Sequence, residues 1–306
     1  MSEETTSRFT RQYFRNIAVF TFRAIIVAAI FLYFGMPIFQ VLSVMHTRRI
    51  PIGDVSPADL DLEYIDVTLT TEDELEIRGW YIPSSNNAAV VLVHAYNGNR
   101  TGMIYHAEFL AEHGYGVLLY DTRTQGESDG DLYRLGWEDH LDVFAAVEYL
   151  QQRPEVDTDR VAVLGLSAGA KASLNAATQS DSIAAVVVEG TRWITFEDYM
   201  VAMEPKWYVW IPADWLAYQI GEWVAGIPSI TPLHEAVAQM STPLLLITAE
   251  AELKSGQAYY DAAQGPKEIW IRDEPGHQID ALFDEPEEYE QRVIGFLNEA
   301  LLIQDE

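Results

Sequence analysis

The chain has 306 residues, and 47 acidic against 19 basic side chains leave a net charge of −28 at pH 7. A surface this negative repels phosphate backbones, which argues against nucleic acid as a partner. The absence of cysteine excludes disulfides, thiolate metal sites and a cysteine nucleophile, while 49% hydrophobic residues supply the core of one large α/β domain with an appendage.

Residues 1–16 are polar and carry Arg8, Arg11 and Arg15. The chain then turns apolar, and residues 24–45 are interrupted by few polar side chains, Gln40 and Ser43 among them. At roughly 1.5 Å of rise per residue, a helix over this stretch crosses a hydrocarbon core of about 30 Å. Arg23 is placed to snorkel to the headgroups, Pro37 to kink the helix and Tyr33 to reach an interface. A cleaved signal peptide fits less well, because the run is long and no small-x-small site follows it. A helix lying flat on the membrane fits less well too, since residues 24–39 have no polar face. Residues 1–47 are therefore expected to form a tail and a single transmembrane helix, and 48–61, with Pro51 and Pro57, a linker. Arg8, Arg11, Arg15 and Arg23 before the span, against Arg48 and Arg49 after it, favour a following domain outside the cytoplasm.

From residue 62 onward strands and helices alternate. Residues 65–69 and 75–82 alternate as two strands around an acidic turn at 71–74. The run 88–93 (AAVVLV) is apolar throughout, as befits a strand buried on both faces of a parallel sheet, and it ends in His94-Ala95-Tyr96-Asn97-Gly98. A helix is predicted over 101–113 and stopped by Gly114, followed by a strand at 116–120 and the segment DTRTQGES. After a helix over 138–152 comes the strand VAVL at 161–164, which runs into Gly165-Leu166-Ser167-Ala168-Gly169 and a helix-forming stretch. A G-x-S-x-G sequence between strand and helix is the context of a nucleophile elbow. The turn is tight enough to strain the serine backbone, and glycines two residues either side avoid side-chain clashes. The Ser167 hydroxyl is then presented above the sheet, beside the positive end of a helix.

A further apolar strand is predicted over 183–188, and there the alternation breaks. Residues 191–240 are rich in tryptophan and tyrosine and punctuated by Pro205, Pro212, Pro228 and Pro232. This reads as a helical cap whose aromatics wall an apolar pocket. Strands over 244–248 and 268–272 follow, separated by a helix over 256–263, and an amphipathic helix over 286–302 closes the chain. The alternation implies right-handed crossovers and a mostly parallel sheet with helices on both faces, with ligand chemistry at the carboxyl ends of the strands.

The remaining candidate side chains read as structural. His94 is expected to hydrogen-bond its loop, and His106, His113 and His140 to pack or face solvent on helices. His46 falls at the membrane exit and His234 in the cap. Lys171, one turn past Ser167, is expected to be solvated. No H-x-x-x-H or carboxylate cluster suggests a metal, and nothing calls for a cofactor.

Over about 62–302 the chain resembles the α/β-hydrolase superfamily, particularly its membrane-anchored or secreted bacterial esterase-like and serine aminopeptidase-type members. The resemblance is carried by GLSAG, by VVLVHAYNGNR, by LLYDTRTQGES and by the late PGH that follows a terminal strand. It implies that Ser167 attacks an acyl carbonyl, that His277 takes its proton, and that a carboxylate after the 244–248 strand orients the imidazole. Glu252 aligns with the usual aspartate, with Glu250 as the alternative. The backbone N–H groups of Ala168 and Tyr96 would form the oxyanion hole. Departures are Ala95 and Thr124 in place of glycines, and glutamate in place of the acidic aspartate. The expectation is an α/β-hydrolase fold with a cap insertion at about 191–240, tethered to a membrane and cleaving carboxylic esters of apolar or lipid-like acyl groups through an acyl-enzyme. Two other readings stand beside it: a catalytically silent fold used for binding or scaffolding, and an aminopeptidase-type serine peptidase. The latter needs a cap carboxylate for the substrate amine, from Glu197, Asp198, Glu204, Asp214 or Glu222. Protein partners are left open.

Overall fold

The computed structural model describes residues 3–227, 230–273, 279 and 281–302. In chain order its elements are α1 (Glu3–Met45), β1 (Ile65–Thr70), β2 (Glu76–Ile82), β3 (Ala89–Val93), α2 (Ile104–Glu112), β4 (Gly116–Tyr120), α3 (His140–Gln151), β5 (Val161–Leu166), α4 (Ala168–Ala177) and β6 (Ala185–Glu189). There follow α5 (Phe196–Ala202), α6 (Ile211–Ala225), α7 (Leu233–Val237), β7 (Leu244–Ala249), α8 (Leu253–Ala262), β8 (Lys267–Arg272), α9 (Ala281–Asp284) and α10 (Pro286–Leu301). They divide into two compact units: Met1–Ser43 with Glu204–Gly226, and Val44–Met203 with Ile227–Glu306.

The first unit holds most of α1, which continues through Pro37 without interruption. Its stretch Arg11–Met45 is long and apolar enough to cross a membrane, and none of its most apolar window is buried. The same unit contains the 3-10 helix Pro205–Trp210 and α6. Tyr33 on α1 stacks on Trp210, with ring centroids 5.2 Å apart and planes at 18°.

The second unit is built on one sheet in the order β1-β2-β4-β3-β5-β6-β7-β8. The β1–β2 and β2–β4 pairs are antiparallel, and every pair from β4 to β8 is parallel. The expected mostly parallel sheet is therefore present, and burial explains which sequences built it. The central strands β3, β4, β5, β6 and β7 are buried at every position. Such strands need apolar residues on both faces. The edge strand β1 alternates instead, burying Val67 and Leu69, and the opposite edge β8 buries only Trp270 and Arg272. The helix predicted over 101–113 starts as a 3-10 turn, Arg100–Met103. The Asn99 side chain accepts the Thr101 N–H at 3.0 Å, and Asp121 takes the Arg100 N–H at 2.7 Å, so the first turn winds tightly onto the β4 loop.

His106 on α2 is buried among aromatic rings, 5.7 Å from Tyr289 and 6.3 Å from Phe109 between centroids. Neither ring nitrogen has a hydrogen-bond partner among the described residues. Burial pushes the imidazole down to about 3 from its ordinary 6.5. The folded state thus resists a proton that the unfolded chain accepts. Stability is undiminished above pH 6.5 and falls as the pH drops toward 3, by about 1.4 kcal/mol per unit. In denaturant titrations of the solubilised protein, the wild type should lose about 2 kcal/mol more than His106→Phe between pH 7.5 and pH 5. Parallel losses in the two proteins would contradict the buried, unpartnered imidazole.

Candidate active site

Ser167 occupies the sharp turn between β5 and α4, with φ 53° and ψ −106°. Its N–H donates to the Glu189 carbonyl at the end of β6 (2.8 Å), and its own carbonyl accepts the Lys171 N–H (3.2 Å). Both flanking glycines are required by close approach. A Cβ at Gly165 would lie 2.3 Å from the Gly169 carbonyl oxygen, and one at Gly169 would lie 2.1 Å from the Val93 carbonyl oxygen. The first turn of α4 is thereby laid directly on the end of β3, whose Val93 pairs with Gly165. Ala168, the first residue of α4, is buried there.

The loop after β3 runs beside this elbow. His94 is fully enclosed, and its Nε2 accepts the Thr122 N–H at 3.0 Å. That bond fixes the proton on Nδ1, which donates to the Ala95 carbonyl at 2.8 Å. Burial holds the His94 pKa below its ordinary value, so the ring is a neutral strut. Ala95 adopts no left-handed conformation; that role falls to Asn97, at φ 57°. The alanine in place of glycine therefore carries no backbone penalty here. Tyr96 donates its hydroxyl to the Val44 carbonyl at 3.0 Å, its ring lies 5.2 Å from Tyr133, and burial pushes its phenol pKa up.

β7 ends in a 3-10 turn, Glu250–Glu252. The two candidate acids part company in this turn: Glu252 is 3% exposed, and Glu250 faces solvent. The Glu252 carbonyl accepts the Ser255 hydroxyl at 2.9 Å, which also reaches the Thr191 carbonyl at 3.2 Å and ties the turn to the end of β6. His277 lies outside the described residues. Glu189 belongs to this site and was missed in the sequence. Its carbonyl holds Ser167, and its buried carboxylate accepts the Ala281 N–H at 2.9 Å, fixing the start of α9 just past the His277 segment. The available signal was a lone acid closing the otherwise apolar strand AVVVE.

Buried charge organises the neighbouring loop. Asp121 accepts the Arg100 guanidinium at 2.7 Å and the Glu127 N–H at 2.9 Å. Arg123 pairs with Asp142 at 2.8 Å and with Asp73 at 3.0 Å. Thr124 holds a left-handed backbone, φ 68°. Burial, reinforced by Asp142, pushes the Asp139 carboxyl up to about 7. Lys171 departs from expectation. It is half-buried rather than solvated, and burial depresses its pKa although Asp139 opposes the shift. One turn along α4 from the elbow, its Nζ lies beside Gly136 and Asp139 in the 133–139 loop rather than in open water. In the insertion, the Asp198 carboxylate accepts the N–H groups of Thr195 (3.0 Å), Leu233 (3.1 Å) and His234 (3.0 Å) and contacts His234 Nδ1 at 2.6 Å. It is fully committed to holding α5 against α7. Among the described residues no three His, Asp or Glu side chains gather as metal ligands.

Residues 70–225 match the family model of the X-Pro dipeptidyl-peptidase (S15 family). The chain is 28% identical over 252 residues to the uncharacterized protein YfhR of Escherichia coli (strain K12), covering 77% of this chain and 81% of that one. It is 33% identical to the thiohydrolase aneE of Aspergillus aculeatus over 118 residues, 37% of each chain. In structure it is similar to an esterase of Pyrococcus furiosus, with a TM-score of 0.69 and 26% identity over 84% of this chain and 98% of the other.

The close approach at Gly169 has a measurable consequence. Gly169→Ala must push α4 off β3, and overpacking of this kind costs about 1–3 kcal/mol. Its unfolding free energy should fall by that amount, whereas Gly295→Ala, where a Cβ meets nothing within 4 Å, should not lose stability. Equal stabilities for Gly169→Ala and the wild type would disprove the contact.

Proposed function

The chain belongs to the X-Pro dipeptidyl-peptidase (S15) family of hydrolases within the α/β-hydrolase superfamily, and on that premise we propose that it is a membrane-anchored serine hydrolase cleaving carboxylic esters of apolar or lipid-like acyl groups. The observation that carries this reading is the left-handed backbone of Ser167 between two glycines packed flush against β3. A serine held this way has no structural use for its strain, and strain of this kind clusters where a side chain must be presented.

In this reading the Ser167 hydroxyl attacks the acyl carbon while His277 takes its proton. The carbonyl becomes an oxyanion received by the N–H groups of Ala168 and Tyr96, at the positive end of α4. Collapse expels the alcohol, which carries away the proton from His277. Water then repeats the sequence on the acyl-enzyme and releases the acid. Glu252 is the preferred orienting acid, because a buried carboxylate can hold the imidazole in one tautomer and stabilise its cation, while exposed Glu250 would be screened. The ester preference is supported by similarity to the Pyrococcus furiosus esterase. Anchoring is supported by the apolar, unburied face of α1, and the arginine bias supports a catalytic unit outside the cytoplasm.

The family model favours a second reading, a peptidase releasing N-terminal residues. That reading needs a carboxylate to hold the substrate amine, and Asp198 is already saturated by backbone donors.

Nitrophenyl esters of rising chain length, set beside aminoacyl amides, separate these readings. Ser167→Ala and His277→Ala should each lose about 10³-fold or more of ester hydrolysis. Glu252→Gln should lose about 10²–10⁴-fold and Glu250→Gln should stay near wild type. Loss confined to Glu250→Gln would reassign the acid. A kcat/KM that rises with acyl length supports the lipid-like substrate; cleavage of aminoacyl amides alone would replace the esterase reading with the peptidase.

A further inference from the structure

The segment Glu204–Gly226 lies in the middle of the insertion between β6 and β7, yet it forms a compact unit with α1 rather than with the elements that flank it in sequence. The contact is specific. Tyr33 stacks on Trp210 and donates its hydroxyl to the Val209 carbonyl, 176 positions away. Tyr33 stands about 15 Å along the helix from Arg23, in the midst of the apolar run. Whatever covers α1 at that level therefore also meets residues 207–210.

Those residues are not built for water. Val209 is 65% exposed, and Trp207 and Tyr208 are about half exposed. α6 continues the pattern. It buries the small residues Ala213, Ala217, Gly221 and Ala225 along one side and turns Trp215 and Trp223 outward, the latter 82% exposed. Single exposed aromatics are ordinary, but Trp207, Tyr208, Val209, Trp215 and Trp223, all exposed within one short segment of this unit, mark an interaction surface. Its chemistry narrows the partner. No lysine or arginine occurs between Trp207 and Ile227, so neither nucleic acid nor anionic headgroups would recognise it by charge. Tryptophan and tyrosine, with an apolar body and one polar atom, favour the boundary between headgroups and acyl chains. The net charge of −28 also opposes pairing with a second copy.

We infer that Glu204–Gly226 is a second membrane element, a hairpin that enters one leaflet beside α1 with Trp207–Trp210 and the Trp215/Trp223 side of α6 in contact with lipid. The inference rests on the reading of α1 as a membrane anchor. It adds that the middle of the insertion between β6 and β7, Glu204–Gly226, is itself embedded beside the anchor. Insertion of this kind depends on apolar area and should be indifferent to lipid charge.

The chain has no cysteine, so single-cysteine variants of the full-length protein carry one label each. Phe31→Cys reports the anchor, Val209→Cys and Trp223→Cys the hairpin, and Thr158→Cys, before β5, the aqueous phase. Each is labelled with an environment-sensitive fluorophore in phosphatidylcholine vesicles with and without doxyl-labelled lipid. Quenching at 31, 209 and 223 should exceed that at 158 by roughly twofold or more and be unchanged by added phosphatidylglycerol. Quenching at 31 with 209 and 223 at the level of 158 would overturn the hairpin while leaving the anchor in place. Labels at 209 and 223 shielded from both doxyl lipid and aqueous iodide would show a protein partner instead, and would equally overturn it. No quenching at 31 would remove the anchor reading and this inference with it.

Discussion

The first turn of α4 rests on the end of β3 with no side chain between them. The Gly169 backbone comes so near the Val93 and His94 carbonyls that a methyl group there would overlap both, and Gly165 meets Gly169 from the other side in the same way. This contact fixes three features at once. It sets the angle at which α4 leaves the sheet, it forces Ser167 to absorb the turn in a left-handed conformation, and it brings the loop after β3 alongside the serine. The serine, the start of α4 and the loop after β3 are thereby brought together. Their mutual placement is a property of the backbone and so is little affected by side-chain motion, which suits a task that tolerates little misplacement.

Around that contact, buried polar groups act as spacers between loops at the carboxyl ends of the strands. His94, neutral and locked in one tautomer, joins the β3 loop to the β4 loop through Thr122. Asp121 and Arg100 brace the same two loops one layer deeper, and Arg123 draws α3 toward them through Asp142. Buried ion pairs of this sort add little net stability, but breaking one strands a charge, so they specify a single loop arrangement. Glu189 extends the scheme across β6, with its carbonyl on Ser167 and its carboxylate on the start of α9. The strand next to the elbow thus couples the serine to the segment that follows β8.

Much of this was legible in the sequence because it is local. The runs that became β3, β5, β6 and β7 are apolar but for Glu189 and Thr248 near their ends, and a G-x-S-x-G sequence between such a strand and a helix former has few other meanings. The preference for Glu252 over Glu250 came from resemblance, and the structure adds a difference in burial between them that no spacing encodes. What stayed hidden depends on partners distant in sequence. Lys171 reads as a solvated helix residue until the 133–139 loop covers it. Glu189 reads as a strand terminus until α9 returns to it. The grouping of Glu204–Gly226 with α1 is set by packing between segments far apart in the chain. His277, the residue on which the proposed proton transfer turns, lies beyond what the structure describes.

The proposed chemistry reduces to whether one hydroxyl is a nucleophile. Full-length protein treated with a fluorophosphonate and digested with trypsin yields the peptide 161–171, bounded by Arg160 and Lys171, in which Ser167 is the sole serine. A stoichiometric phosphonyl adduct on that peptide, abolished in His277→Ala, is the result required of a serine activated by a base. An unmodified peptide in a folded wild-type protein, or an adduct on another serine, would contradict it.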